Sequence, residues 1–109
     1  LVHELQKERG ATAGYLGTKG KEFKDILHKQ RLLTNKEKSI FLNAIQNLDL
    51  KSINEDLYKQ VSEALELLNK LNTIRQKVDN LSISVKEAIS YYTTLNRELL
   101  DAINTGNLL

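Results

Sequence analysis

The chain of 109 residues contains no cysteine, proline, methionine or tryptophan. Disulfide bonds and thiolate metal ligands are therefore excluded, and no proline interrupts a helix. All but one of the 5 glycines lie between residues 10 and 20, so the composition predicts an all-α fold with one weak region near its start. Because methionine is absent, we expect that Leu1 is not a natural start and that the chain is a piece of a longer protein. The missing flanks have room for a signal peptide or a membrane anchor.

The chain also lacks a large excess of charge of either sign. The chain has 16 lysines and arginines against 14 acidic residues, a net charge of +2. This balance, with no basic run interleaved with aromatic residues, argues against nucleic acid as a partner. The apolar runs are too short to span a bilayer, so we expect membrane association only through flanking segments. The length and the apolar fraction of 40% fit one globular domain with a modest core.

Apolar residues recur at helical spacing along most of the chain. Helices are predicted at residues 1–16, 21–48, 53–80 and 85–104. Capping boxes, in which serine or threonine precedes glutamate by three residues, begin at Thr34, Ser52 and Ser84. The first of them makes a kink or a restart near residues 34–35 plausible. Because short connections force neighbouring helices to run antiparallel, we predict an up-and-down four-helix bundle.

Each predicted helix has a stripe of residues that we expect to face the core. The first stripe contains Leu5, Arg9, Thr12 and Leu16. The second contains Phe23, Ile26, Leu27, Leu33, Phe41, Ala44, Ile45 and Leu48. The third contains Leu57, Val61, Ala64, Leu68, Leu71, Arg75 and Val78. The fourth contains Val85, Ala88, Ile89, Tyr92, Leu95, Leu99 and Ile103.

The helical phase separates the four arginines. Arg9 and Arg75 fall in the middle of apolar stripes, whereas Arg31 lies at the edge of one and Arg97 points towards solvent. A guanidinium on an apolar face is costly unless an anion meets it. Its planar fork of donors suits carboxylate, nitrate or nitrite. Two inward arginines therefore predict either a small-anion site or internal ion pairs.

Internal carboxylates offer the alternative to a ligand. Glu8 or Glu4 is a candidate partner for Arg9, and Asp79 is the candidate partner for Arg75. The sequence alone leaves both explanations open.

Other kinds of site find little support. His3-Glu4 begins like the zinc-protease signature, but Lys7 stands where the second histidine is needed. His28 is the only other histidine, so we expect no metal site and no cofactor. No serine or threonine stands in an evident arrangement with a histidine base. We therefore predict that the protein is not an enzyme.

Two blocks of sequence carry a family resemblance. The more specific block runs from Leu1 to Gly10 and continues with Ala13-Gly14-Tyr15-Leu16, a glycine-containing turn, Phe23, Leu27, Gln30-Arg31 and Thr34. The weaker block contains Arg75, Val78-Asp79, Ala88-Ile89, Tyr91-Tyr92-Thr93, Leu95-Asn96, Leu99-Leu100 and Ile103. Together they resemble the nitrate- and nitrite-sensing (NIT) domain over nearly the whole chain. The family domain is usually longer, with a second helical half that this chain lacks.

The resemblance implies an all-helical sensor module that binds a small oxyanion through arginines. By matching position, Arg9 is the first candidate, followed by Arg31 and Arg75. Neutral donors to the same ligand are expected from Gln6, Gln30 or Tyr92.

The resemblance also places such modules in bacterial chemoreceptors, sensor kinases and some cytoplasmic antiterminators. We expect the periplasmic input domain of a methyl-accepting chemotaxis receptor, with a homodimeric parent and a signal carried by helix movement. Two alternatives stand beside this expectation. One is a ligand-free helical module for dimerisation or spacing, and the other is a sensor of a different small anion such as a carboxylate.

Overall fold

Helices make up nearly all of the computed structural model, which describes residues 1–49, 52 and 54–106. The helices are α1 (Val2–Gly17), α2 (Lys24–Gln46), α3 (Glu55–Leu68), α4 (Leu71–Asp79) and α5 (Val85–Gly106). No strand occurs in these ranges. The predicted all-α bundle is thus confirmed.

The bundle is an elongated body of 49 × 22 × 19 Å. Helix α1 packs between α2 and α5, and α5 also packs along α3. The core between α1, α3, α4 and α5 is built from large buried side chains, among them Leu5, Leu68, Leu71, Tyr92, Leu95 and Leu99. Within the described ranges, no helix combines the length and apolarity that a membrane crossing requires.

The predicted helix over residues 53–80 is two helices in the structure. Helix α3 ends at Leu68 and α4 starts at Leu71, and Lys70 N donates to Leu67 O at 3.1 Å across the junction. Such an i→i+3 bond tightens one turn of the chain. The apolar phase continues across the junction, because all seven residues of the third stripe are buried.

The starts of the helices agree only partly with the predicted capping boxes. Ser84 caps α5, since its hydroxyl accepts from Glu87 N at 3.1 Å. The cap of α3 is Asn54, whose side chain accepts from Asp56 N and Leu57 N, so the assignment of Ser52 is wrong. Ile53, where this helix was predicted to begin, lies outside the described residues.

Helix α2 corrects two further predictions. It is continuous through Thr34, whose hydroxyl donates to Gln30 O at 3.1 Å instead of capping a new helix. Its buried residues are Leu27, Gln30 and Thr34, whereas five apolar residues predicted to face inward are exposed, namely Phe23, Ile26, Leu33, Ala44 and Leu48. The reason is that α2 meets α1 through hydrogen bonds, with Gln30 Nε2 donating to Glu4 O at 3.0 Å.

Candidate functional site

The buried charge of α1 is Glu8 and not Arg9. Glu8 has an exposed fraction of 0%, whereas Arg9 is partly exposed. Because α1 turns the side between Leu5 and Ala11 towards the core, Glu8 falls in the middle of the buried face. Arg9 is displaced to the flank of α1 that faces α5. The prediction that Arg9 projects from the centre of the apolar face is therefore wrong.

Glu8 and Arg75 form a bidentate ion pair that joins α1 to α4. Arg75 Nε donates to Glu8 Oε2 at 2.9 Å, and Arg75 Nη2 donates to Glu8 Oε1 at 2.7 Å. Arg75 is 8% exposed, so its burial agrees with the predicted phase. Its remaining nitrogen, Nη1, donates to Asn35 Oδ1 of α2 at 2.6 Å. The expected pairing of Arg75 with Asp79 is not found, and every nitrogen of this guanidinium has a protein partner.

Tyr92 completes this buried cluster from α5. Its hydroxyl donates to Glu8 Oε2. Burial raises the pKa of Tyr92, and the adjacent carboxylate of Glu8 raises it further, so the phenol stays protonated. For Glu8, burial alone would raise the pKa, but the hydrogen bonds and charge of Arg75 outweigh it and hold the pKa below its ordinary value. The buried cluster of Glu8, Arg75 and Tyr92 thus joins three helices at the Glu8 carboxylate, and Arg75 connects it to α2 through Asn35.

The stability of the protein should depend on pH through Glu8. Its pKa is lowered in the folded state, so its contribution is complete above the unfolded pKa of about 4.5 and is lost as the pH falls through the folded pKa. We expect the free energy of unfolding, measured by urea titration from pH 7 to pH 3, to fall below about pH 4.5. Glu8→Gln should remove most of this fall. An equal fall in that variant would assign the dependence to other carboxylates such as Glu4, whose pKa is also lowered, chiefly by its hydrogen bond from Gln30.

Arg31 joins α2 to α4 at the surface. Its Nη1 lies 2.8 Å from Asp79 Oδ1, and its Nη2 donates to Arg75 O at 3.5 Å. A surface cavity of about 390 Å³ opens beside this pair and is lined by Tyr15, Lys24, Asp25, Leu27, His28, Arg31 and Asp79. The carboxylates of Asp25 and Asp79 there offset the charges of Lys24 and Arg31, which weakens the attraction of this cavity for an anion. In the part of the chain that the structure describes, no group of three acidic or histidine residues is placed to hold a metal ion.

Arg9 crosses from α1 to α5 at the surface, and we call the surface between these two helices at Arg9 and Thr93 the groove. Arg9 Nη1 donates to Thr93 Oγ1 at 3.0 Å. A guanidinium has five N–H donors, and this is the one protein hydrogen bond that Arg9 makes to the described residues. Neither Arg9 nor the exposed Arg97 has a described carboxylate within 4.0 Å. Arg97 follows Thr93 by one helical turn, so the two guanidiniums flank the same stretch of α5.

The two acidic side chains of α1 are directed away from Arg9. Glu4 is hydrogen-bonded to Gln30 of α2, and Glu8 is bound to Arg75 of α4. The two pairings considered for Arg9, with Glu4 or with Glu8, are therefore not formed. On α1, Gln6 is exposed and lies about 60° around the helix from Arg9. The groove combines the cation Arg9, with Arg97 nearby, and neutral donors. This arrangement attracts a small anion.

The structure thus distributes the predicted site residues over three places. Arg75 and Tyr92 meet at Glu8, and Gln30 binds Glu4 nearby. Arg31 is part of the surface pair with Asp79. Arg9 lies on the flank of α1 that faces α5, and Gln6 is exposed about 60° further around α1. No ligand pocket common to Arg9, Arg31 and Arg75 is formed.

Sequence reasoning did not select Asn35 and Thr93, which bind Arg75 and Arg9, or Asn96, which is buried on α5. Glu8 was considered only as a partner for Arg9. Asn96 carried the clearest signal, because it follows Tyr92 by four residues and precedes Leu99 by three, in the inward register of α5. It is 4% exposed. Thr93 carried no such signal, since an exposed threonine on a helix is ordinary.

Comparison with known families agrees with this all-helical domain. A family model described as nitrate and nitrite sensing matches residues 1–109. Comparisons with curated proteins and with solved structures found no match. Since the family model spans the whole chain, the protein belongs to the nitrate- and nitrite-sensing (NIT) family of sensor domains.

Proposed function

We propose that this domain binds nitrate or nitrite in the groove between α1 and α5, with Arg9 as the residue that holds the anion. The observation that carries the proposal is the state of the Arg9 guanidinium. It is partly exposed, it donates one hydrogen bond to Thr93, and no described carboxylate lies within 4.0 Å of it. It therefore retains donors and an uncompensated charge for a planar oxyanion.

In our proposal the other candidate arginines, Arg75 and Arg31, have structural roles. Arg75 spends its donors on Glu8 and Asn35, and displacing Glu8 would leave a buried carboxylate unpaired. Arg31 is neutralised by Asp79. We therefore assign Arg75 to fixing α1 in the bundle and Arg31 to the α2–α4 contact. Gln30 and Tyr92 likewise hold α1, through Glu4 and Glu8, and Gln6 remains a neutral donor at the groove.

Binding at this place has a direct route to a signal. An anion between Arg9 and α5 would add bonds across two helices, and it shifts the equilibrium only if these bonds differ between two helix arrangements. We propose a small sliding of α1 along α5, passed to an output domain beyond the chain. The context that we favour is the periplasmic input domain of a dimeric chemotaxis receptor. The alternatives are a ligand-free helical spacer and a sensor of a small carboxylate.

A thermal-unfolding titration with sodium nitrate, nitrite, acetate and chloride tests the proposal. A ligand at a hundred times its dissociation constant should stabilise the wild-type domain by ~2.7 kcal/mol. We expect this for nitrate or nitrite, with chloride serving as the control for ionic strength. In Arg9→Ala the anion-dependent stabilisation should disappear. Because Arg9 lies on the flank, its loss should change stability without anion by only about 0.5 kcal/mol.

Arg31→Ala is the matched control, because it removes an arginine that is already paired. It should retain the nitrate response. A response to acetate but not to nitrate would favour the carboxylate sensor. A flat wild-type response to all four anions would contradict ligand binding by this chain and leave the spacer.

A further inference from the structure

Asn96 is a buried polar residue with no hydrogen-bond partner among the described residues. It is 4% exposed, and both its Oδ1 and its Nδ2 are inaccessible to solvent and unpaired. Buried side-chain amides nearly always have partners, because an amide that leaves water without one pays for its desolvation in full. The two unpaired amide atoms of Asn96 therefore need an explanation.

The position of Asn96 on α5 connects it with the groove at Arg9. Asn96 lies one turn after Thr93, the residue to which Arg9 donates. Around the axis of α5, Asn96 is about 40° from the core-facing Tyr92 and about 60° from Thr93. It therefore lies on the side of α5 that α1 covers, one turn from the residue that accepts the Arg9 hydrogen bond.

We propose that Asn96 is a second ligand-binding residue of the anion site, whose amide N–H groups donate to the oxyanion beneath Arg9. This inference rests on the proposed function. The amide is inaccessible to solvent in this structure, so an anion reaches it only when α1 is displaced from α5. In the displaced arrangement Asn96 would gain the hydrogen bond that it lacks in the closed one. Such a difference between two states is what makes a ligand shift helix positions.

A nitrate titration of Asn96 variants by calorimetry tests this inference. Asn96→Leu should raise the dissociation constant for nitrate about 10- to 100-fold, the effect of one lost hydrogen bond to a charged group. It should leave the melting temperature without nitrate equal or higher, because an unpaired buried amide has been removed. Asn96→Asp should abolish binding, since its carboxylate repels the anion.

Thr12→Val is the matched control. Thr12 is 1% exposed and its Oγ1 also lacks a partner among the described residues, but it lies on the core-facing side of α1. It should raise the melting temperature in the same way and keep the wild-type affinity for nitrate. Wild-type affinity in Asn96→Leu would overturn the inference while the proposed function stands. A wild-type domain that binds no anion would instead overturn the proposed function.

Side-chain amide signals in ¹⁵N NMR give a test on the wild-type chain, independent of how the variants fold. Nitrate should shift the Asn96 NH₂ signals together with the Arg9 Nε signal. A shift at Arg9 with no change at Asn96 would place the anion on the surface alone and overturn the inference.

Discussion

Arg75→Met should lower the free energy of unfolding by about 3–5 kcal/mol, because it leaves the carboxylate of Glu8 buried and unpaired. Glu8 is 0% exposed and receives two of its hydrogen bonds from Arg75. The remaining donor, Tyr92, cannot supply a positive charge. Urea unfolding at pH 7, followed by circular dichroism, measures the loss. The variant should also regain stability relative to wild type as the pH is lowered, since protonation of Glu8 then relieves the burial of a charge.

Arg31→Met is the matched control for the same substitution. Its partner Asp79 is exposed, and exposed ion pairs contribute at most about 1 kcal/mol. Similar losses in the two variants would mean that arginine packing, and not the buried charge, accounts for the effect of Arg75→Met. A loss below about 1 kcal/mol for Arg75→Met would show that Glu8 is hydrated or protonated in the folded domain.

The pairing of charges was the part of the structure that local sequence patterns predicted least well. The sequence supplies Glu8, Asp79, Arg31 and Arg75, and the expected partner of Arg75 was Asp79. In the structure Arg75 takes Glu8 and Arg31 takes Asp79. Glu8 and Arg75 are 67 residues apart, and helical phase says only which way a side chain points. Which residue it meets depends on the relative rotation and height of two helices.

Helical phase predicted the buried residues correctly where apolar residues occupy one side of the helix. Along α3 and α4 every residue of the predicted stripe is buried, Arg75 included. It failed on α1, where glutamate and arginine occupy neighbouring directions and either could be inward. It failed on α2 because that helix buries Gln30 and Thr34 for hydrogen bonds to α1 and leaves Leu33 exposed. A rule that equates apolar with inward cannot anticipate a polar helix contact.

The sequence likewise predicted only part of the candidate site. The sequence selected Arg9 as an arginine that needs an anion, and the family resemblance attached an oxyanion to it. In the structure Arg9 lies in the groove between α1 and α5 and not in the core. Arg31 and Arg75 are paired with Asp79 and Glu8 and do not share its site. Asn96 and Thr93 could not be connected with Arg9 from sequence, because α1 and α5 are adjacent only in the folded bundle.

Simultaneous replacement of Glu8, Arg75 and Tyr92 should reverse the loss of stability that we expect for Arg75→Met alone. We expect the triple variant Glu8→Leu, Arg75→Met and Tyr92→Phe to equal wild-type stability or exceed it by about 1–4 kcal/mol, since hydrophobic residues of similar volume avoid the desolvation of two charges. Tyr92→Phe is included because the Tyr92 hydroxyl would otherwise lose its acceptor, Glu8 Oε2. Asn35 is exposed and can bind water. Urea unfolding of the triple variant beside Arg75→Met measures the recovery, and a triple variant no more stable than Arg75→Met would contradict it.

The same triple variant separates two roles for Arg75. If Arg75 serves only to hold α1 in the bundle, the variant should keep the nitrate-dependent stabilisation of the wild type, which at a hundred times the dissociation constant is ~2.7 kcal/mol. Loss of the nitrate response in a stable triple variant would instead make Arg75 part of the ligand site, as the family resemblance implies. Adding Arg9→Ala to the triple variant gives the final comparison. The response should then disappear while stability without nitrate changes little, because Arg9 contacts Thr93 and no member of the buried cluster.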